Sequence, residues 1–185
     1  MMSKRSLIRN FLIKALIFFI VWKVVFYACI IPTGANNFIT EVVSHGTKLG
    51  GRLLGYTTRV EIIETDDSIS RVNGIVYFDE VPGVMVADAC NGLELFALYV
   101  GFFVCFPGSV LPKILFSVGG TLLLFTLNIM REVVLAINYM YFETSFDFNH
   151  KYTYAIAVYL VVFLIWKYWL NNYSMIAKKK NEFKN

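Results

Sequence analysis

Three residues suited to acyl transfer through a thiol stand far apart in this chain: Cys90, Arg131 and His150. A cysteine thiolate is a nucleophile, an arginine can donate several hydrogen bonds to a developing oxyanion, and an imidazole moves protons near neutral pH. Cys90 stands in Asp88-Ala-Cys-Asn-Gly-Leu-Glu94, immediately before an apolar run. That places it at or just before a helix N-terminus, whose free N–H groups favour an anion and hence a thiolate. Asn91 and Glu94 have the spacing of a capping pair, and Gly92 lets another backbone approach closely. Arg131 closes Asn128-Ile-Met-Arg131, an i, i+3 spacing that puts Asn128 and Arg131 on one helical face. His150 lies in Asp147-Phe-Asn-His-Lys151, just ahead of another apolar run.

Taken singly, each has an ordinary reading. Cys90 would be a structural cysteine, Arg131 an interfacial anchor, and His150 an incidental loop histidine with His45 as a competing base. Their joint position at the ends of apolar segments is what points to chemistry.

Those segments must be helices crossing a bilayer. Of the 185 residues, 57% are hydrophobic, 17% aromatic and only 16% charged, which marks an integral membrane protein. The run Leu12–Ile31 is long enough for a hydrocarbon core of about 30 Å, and it lacks the cleavage site of a signal peptide. Further runs cover Leu93–Phe106, Ile114–Met130 and about Tyr152–Leu170, with a break at Pro107-Gly108. Lys4, Arg5, Arg9 and Lys14 open the first span, while Lys178, Lys179, Lys180 and Lys184 follow the last, so both termini are expected to be cytoplasmic. Eight of the 13 acidic residues then fall in the outer segment between the first two spans. Tyr152 and Tyr154 would anchor the outer interface of the last helix, and Trp166, Tyr168 and Trp169 the inner one. The net charge of +4 is topological signal, with no nucleic acid implied.

The expected fold is therefore an all-α integral membrane protein of about four transmembrane helices, with a small extracytoplasmic α+β insertion between helices one and two. The divisions are a cytoplasmic N-terminus (1–11), helix one (12–31), the outer segment (32–89), a core of helices two to four (90–170) and a basic cytoplasmic tail (171–185). Within the outer segment, Phe38, Val42, Leu49 and Leu53 recur at helical spacing, which predicts a helix lying on the membrane. Alternating stretches follow at Thr58–Glu64 and Ile69–Asp79, where Asn73-Gly74 suits a tight hairpin turn. About 50 residues bury little core alone, so this piece must pack on the helices or on a partner.

Cys105 lies about 22 Å along the helix from Cys90 and is read as packing. Cys29, near the outer end of helix one, leaves a disulfide or thiol pair with Cys90 open on an oxidising face, although no C-x-x-C is present. Lys23 falls near the middle of helix one, where an unpaired charge costs about 2.5–3.5 kcal/mol, so it must face the bundle or a wet cavity. Glu94 is a partner for either Lys23 or Arg131. No H-E-x-x-H, G-x-S-x-G or phosphate-cradling glycine loop is present, so no metal and no cofactor is expected.

Ala-Cys-Asn-Gly at the start of one span, Asn128-x-x-Arg131 at the outer end of the next, and His150 before the last resemble the exosortase/archaeosortase family, in its short, exosortase F-like branch. The resemblance covers about residues 86–165; many relatives have Cys-Ser-Gly where this chain has Cys90-Asn91-Gly92. It implies a membrane cysteine protease or transpeptidase with a Cys90, Arg131, His150 triad. It also implies a membrane-tethered protein substrate with a C-terminal sorting tail, and an acceptor that is water or an amine on a lipid or glycan. Two other classes compete. A non-catalytic membrane scaffold of a secretion or exopolysaccharide assembly predicts that Cys90 is dispensable. A transporter component would use the Lys23 and Glu94 charges, but four spans without paired broken helices fit it poorly.

Overall fold

A computed structural model describes residues 4–64 and 72–175. The lysines beyond residue 175, and Asp66 and Asp67, lie outside the described residues. Helix α1 (Lys4–Val25) runs on through a π-helical turn at Phe26–Ile30. It is followed by α2 (Ala35–Leu53), strands β1 (Thr58–Glu64), β2 (Val72–Phe78) and β3 (Val81–Val86), and a 3-10 turn at Asp88–Cys90. The remaining helices are α3 (Leu93–Cys105), α4 (Val110–Tyr141), α5 (Glu143–Phe148) and α6 (Tyr154–Asn172), with a π-helical turn at Asn149–Thr153 joining the last two. Among the described residues four helical segments are long and apolar enough to cross a membrane: Arg5–Ile30, Asp88–Cys105, Val110–Tyr141 and Thr144–Asn172. The chain is a multi-pass membrane protein.

Helix α4 is the axis of the molecule. Its 32 residues extend about 48 Å, more than a hydrocarbon core needs, so one end projects beyond the apolar layer. Arg131 is therefore not at the helix end, as the apolar run suggested, but inside a helix that continues for ten further residues. The projecting part carries Val133, Leu135 and Ala136 into a core with Val43 of α2 and with Val76, Phe78, Val84 and Val86 of the sheet. The other half of α4 enters a second core, in which Leu124 meets Tyr99 and Phe103 of α3 and Val162 and Trp169 of α6. Trp166 and Trp169, expected as interface anchors, belong to this aromatic core instead. Trp166 stacks on Phe102 with ring centroids 4.4 Å apart, and Trp169 is fully buried.

The insertion is a three-stranded antiparallel meander in the order β1-β2-β3 rather than a single hairpin. Alternate β2 residues Val72, Gly74, Val76 and Phe78 are buried, the period-2 pattern of a strand covered on one face. Asn73 and Gly74 are not the turn; they pair with Ile63 and Ile62 inside the sheet. The reason is packing: Ser44 of α2 sits directly on Gly74, where any side chain would collide. The tight turn between β2 and β3 is made by Asp79 and Glu80, whose φ values are both positive (48° and 67°). Helix α2 turns Thr40, Val43, Ser44 and Thr47 inward and leaves Phe38, Val42, Leu49 and Leu53 as an exposed apolar stripe. This is the face expected to rest on a membrane.

Candidate active site

Cys90 is the last residue of a turn of 3-10 helix and is not on α3 itself, which begins only after Gly92. Gly92 takes φ +84°, a conformation that L side chains rarely adopt, and this reverses the chain between the cysteine and the helix. The Asn91 side chain accepts a hydrogen bond (2.9 Å) from the N–H of Leu93, the first residue of the new helix, although the N-cap position itself is Gly92. Glu94 does not complete a capping box. Its carboxylate is taken by Lys23 of α1 at 2.6 Å, which gives that intramembrane cation its partner.

The turn is held from α2. The Asn91 amide donates to Asn36 Oδ1 (2.7 Å) and to Thr40 Oγ1 (3.2 Å), and the Thr40 hydroxyl donates to the Asp88 carboxylate at 2.5 Å. All four side chains are buried, so each depends on the others for its hydrogen bonds. From the other side, Asn128 of α4 donates to the Cys90 carbonyl at 2.9 Å. The backbone that carries the thiol is thus clamped on both flanks. Thr40→Val keeps the shape but removes the hydroxyl that links Asn91 to Asp88. It should lower stability by about 1–3 kcal/mol, read by thermal unfolding in detergent.

Three helices bring the remaining groups to Cys90. His150 lies in the π-helical turn that precedes α6, within a continuous helix and not in a loop, and its Nε2 is 4.0 Å from the Cys90 Sγ. The extra residue of a π turn re-aims the side chains around it and is often found at functional positions. Phe146 stacks on the imidazole with the rings 3° from parallel and 5.7 Å apart, which sets the plane of the ring. Arg131 reaches the same space from α4, close enough for its charge to act on both the thiol and the imidazole. Its guanidinium is bonded to Glu132 at 3.1 Å; that carboxylate is fully buried. Glu94, which the sequence left open as a partner for Lys23 or Arg131, pairs with Lys23, and Glu132 takes the arginine.

Cys90, Asn91, Gly92, Asn128, Arg131 and Tyr154 line a single cleft of about 280 Å³. Of the site residues expected from the sequence, His150 stands 4.0 Å from the Cys90 sulfur, and Cys90, Asn91, Gly92, Glu94, Asn128 and Arg131 line this cleft. His45 is exposed on α2 and lies outside it. All three cysteines are free; Cys29 is exposed and Cys105 buried in the membrane core.

A family model for transmembrane exosortases (Exosortase_EpsH) matches residues 4–168. The chain belongs to the transmembrane exosortase family. Comparison with curated proteins and with solved structures gave no match. The family match extends well upstream of the resemblance read from residues 86–165, taking in α1 and the whole insertion. In this exosortase, both of those parts reach the cleft. Asn36 and Thr40 come from α2, and Lys23 from α1 holds Glu94 at its rim.

Sequence reasoning missed Asn36, Thr40, Asp88 and Glu132. A signal for the first two exists, since Asn36, Thr40, Ser44 and Thr47 form a polar line on α2 opposite its apolar stripe. Glu132 could have been found by extending the helical period past Arg131, which places an acid on the buried side of a continuing helix.

Proposed function

We propose that this protein is a cysteine transpeptidase or protease that cuts C-terminal sorting tails of membrane-tethered exported proteins on the extracytoplasmic face. The observation that carries this reading is the meeting of Cys90 Sγ and His150 Nε2 at 4.0 Å, with Arg131 beside them, in a chain of the exosortase family.

In the first half-reaction His150 Nε2 takes the Cys90 proton and the sulfur attacks the scissile carbonyl carbon. The oxyanion of the tetrahedral intermediate is held by the Arg131 guanidinium. The C–N bond then breaks, and the leaving amine takes the proton from His150, leaving a thioester on Cys90. In the second half, His150 removes a proton from water or from an amine on a lipid or glycan. The new acyl bond forms, the C–S bond breaks, and the thiol recovers its proton. A sulfur–nitrogen separation of 4.0 Å is longer than a working hydrogen bond, as is common before substrate closes a site.

Four crossings put both ends of the chain on one side, and Arg5, Arg9 and Lys113 sit at the ends of spans opposite the cleft. Positive residues favour the cytoplasmic side, so the cleft and the insertion face outward.

The test is an exported reporter carrying a candidate sorting tail, with one apolar helix and a basic end, expressed beside the protein with and without hydroxylamine. A shortened reporter is expected, and with hydroxylamine it should end in a hydroxamate at the cut, read by mass spectrometry. A reporter that stays full length beside the unaltered protein, or is shortened equally beside Cys90→Ala, overturns the reading and favours a scaffold.

A further inference from the structure

Among the described residues, three hollows adjoin the catalytic cleft. One of about 450 Å³ runs along α6 and the turn before it, from Lys151 to Phe163, and shares Ala155 and Tyr159 with the cleft. The other two lie between helices. On one side a groove of about 400 Å³ runs between α1 and α6 with α3 as its floor. It shares Glu94, Leu95 and Tyr159 with the cleft and continues to Cys105, at the far end of α3. Along α3 that is about 16 Å of depth, roughly three helical turns. Its floor is low at Ala97, while at Gly101 the Phe18 side chain of α1 lies where a Cβ would be, so α1 packs directly on α3 there. On the other side a smaller cavity of about 180 Å³ lies between α4 and α6, bounded by Leu127 and Val134, and shares Arg131, Tyr154 and Val158 with the cleft. It reaches only about 10 Å along α4.

We propose, resting on the function argued above, that the α1–α3–α6 groove seats the apolar helix of the substrate, on the C-terminal side of the bond that is cut. A chain whose scissile carbonyl lies at Cys90 and whose next residues enter the bilayer must leave the cleft through one of these three hollows. Of these, only the groove combines about three turns of depth with walls from separate helices; the hollow along α6 is lined by that helix and the turn before it alone. The smaller cavity ends after about two turns. The groove is almost wholly apolar below its mouth, so it offers a membrane helix packing rather than charge, with the small Ala97 in its floor. At the mouth, the Lys23–Glu94 pair is the one ionic contact at the junction of cleft and groove among the described residues. It marks the depth at which a substrate passes from extended chain in the cleft to helix in the groove. This contact selects for a substrate whose first helical turn is uncharged or can share that pair.

The test uses the reporter that the unaltered protein shortens, in a Cys90→Ala background so that it is bound and not cut. A photo-crosslinking residue is placed at Leu98 in the groove, at Val134 beside the smaller cavity, or at Val118 on an exposed face of α4. Crosslinks to the reporter's apolar helix from Leu98, at least about tenfold above those from Val134 and Val118, are expected. Crosslinks from Val134 instead, equal yields at all three, or only lipid adducts at Leu98 would overturn the assignment. In the active protein, Ala97→Trp fills the floor. Cutting at low reporter level should fall about tenfold and recover as reporter expression rises, the mark of weakened binding. A fall that reporter excess does not relieve, or no fall, speaks against the groove. These outcomes leave the thiol reaction itself standing, whereas processing that survives Cys90→Ala removes the reaction and not merely the groove.

Discussion

Cys90→Ala should abolish processing of a tail-bearing reporter, a loss of about 10⁴-fold or more, while the protein remains inserted at its normal level. The size follows from covalent catalysis: without the sulfur there is no acyl-enzyme, and a weakly positioned water is a poor substitute. Normal abundance follows from the surroundings. The contacts that hold the turn are made by the Asn91 and Asp88 side chains and by the Cys90 carbonyl, none of which involves the thiol. Cys29→Ala, at an exposed position outside both cleft and groove, serves as the comparison. Cys105 is buried against α3's neighbours, so its loss should affect stability by a cavity cost. The measurement is an immunoblot of reporter size at matched enzyme abundance. Processing that persists with Cys90→Ala, or stops equally with Cys29→Ala, would remove the thiol from the reaction.

The second large effect concerns Arg131 and Glu132, which form a pair with side-chain exposures of 18% and 0%. Arg131→Ala should cost about 10²–10³ in processing rate through loss of oxyanion stabilisation. It should also lower abundance, because removing one partner of a buried pair strands the other charge at a cost of about 3–5 kcal/mol. The two effects can be separated. Replacing both residues by apolar ones, Arg131→Met with Glu132→Leu, leaves no stranded charge and should restore abundance while processing stays absent. Glu132→Gln keeps the shape and the arginine but loosens its hold, and a fall of about tenfold is expected. Arg131→Lys should not rescue fully, since an ammonium lacks the planar fork that holds Glu132 and an oxyanion together. If the double apolar variant recovers processing along with abundance, Arg131 is structural only.

Membrane architecture was largely legible from the sequence because bilayer burial acts on every residue of a span and so leaves a long, redundant signal. The apolar runs located four helices, and strand β1 and helix α2 were placed within a few residues by period-2 and helical patterning. What failed were short local signals that packing overrode. Asn73-Gly74 has the chemistry of a turn, but Gly74 is required in mid-strand because Ser44 lies on it. The aromatic residues Trp166 and Trp169 have interfacial chemistry, but α3 and α6 need large rings between them. Helix α4 was read too short because its C-terminal part packs on α2 and the sheet and so does not need to be uniformly apolar.

For the site, residue types and membrane depth were encoded locally: a cysteine ahead of one span, an arginine late in the next, a histidine ahead of the last. Lateral distance was not. Whether those three groups meet depends on how α4 and α6 pack around α3, a property of side chains scattered over the whole chain and of the π turn that aims His150. The same holds for partnership. Two acids stood within reach of Arg131 in principle, and only the packing of α1 against α3 decided that Glu94 belongs to Lys23 and Glu132 to the arginine.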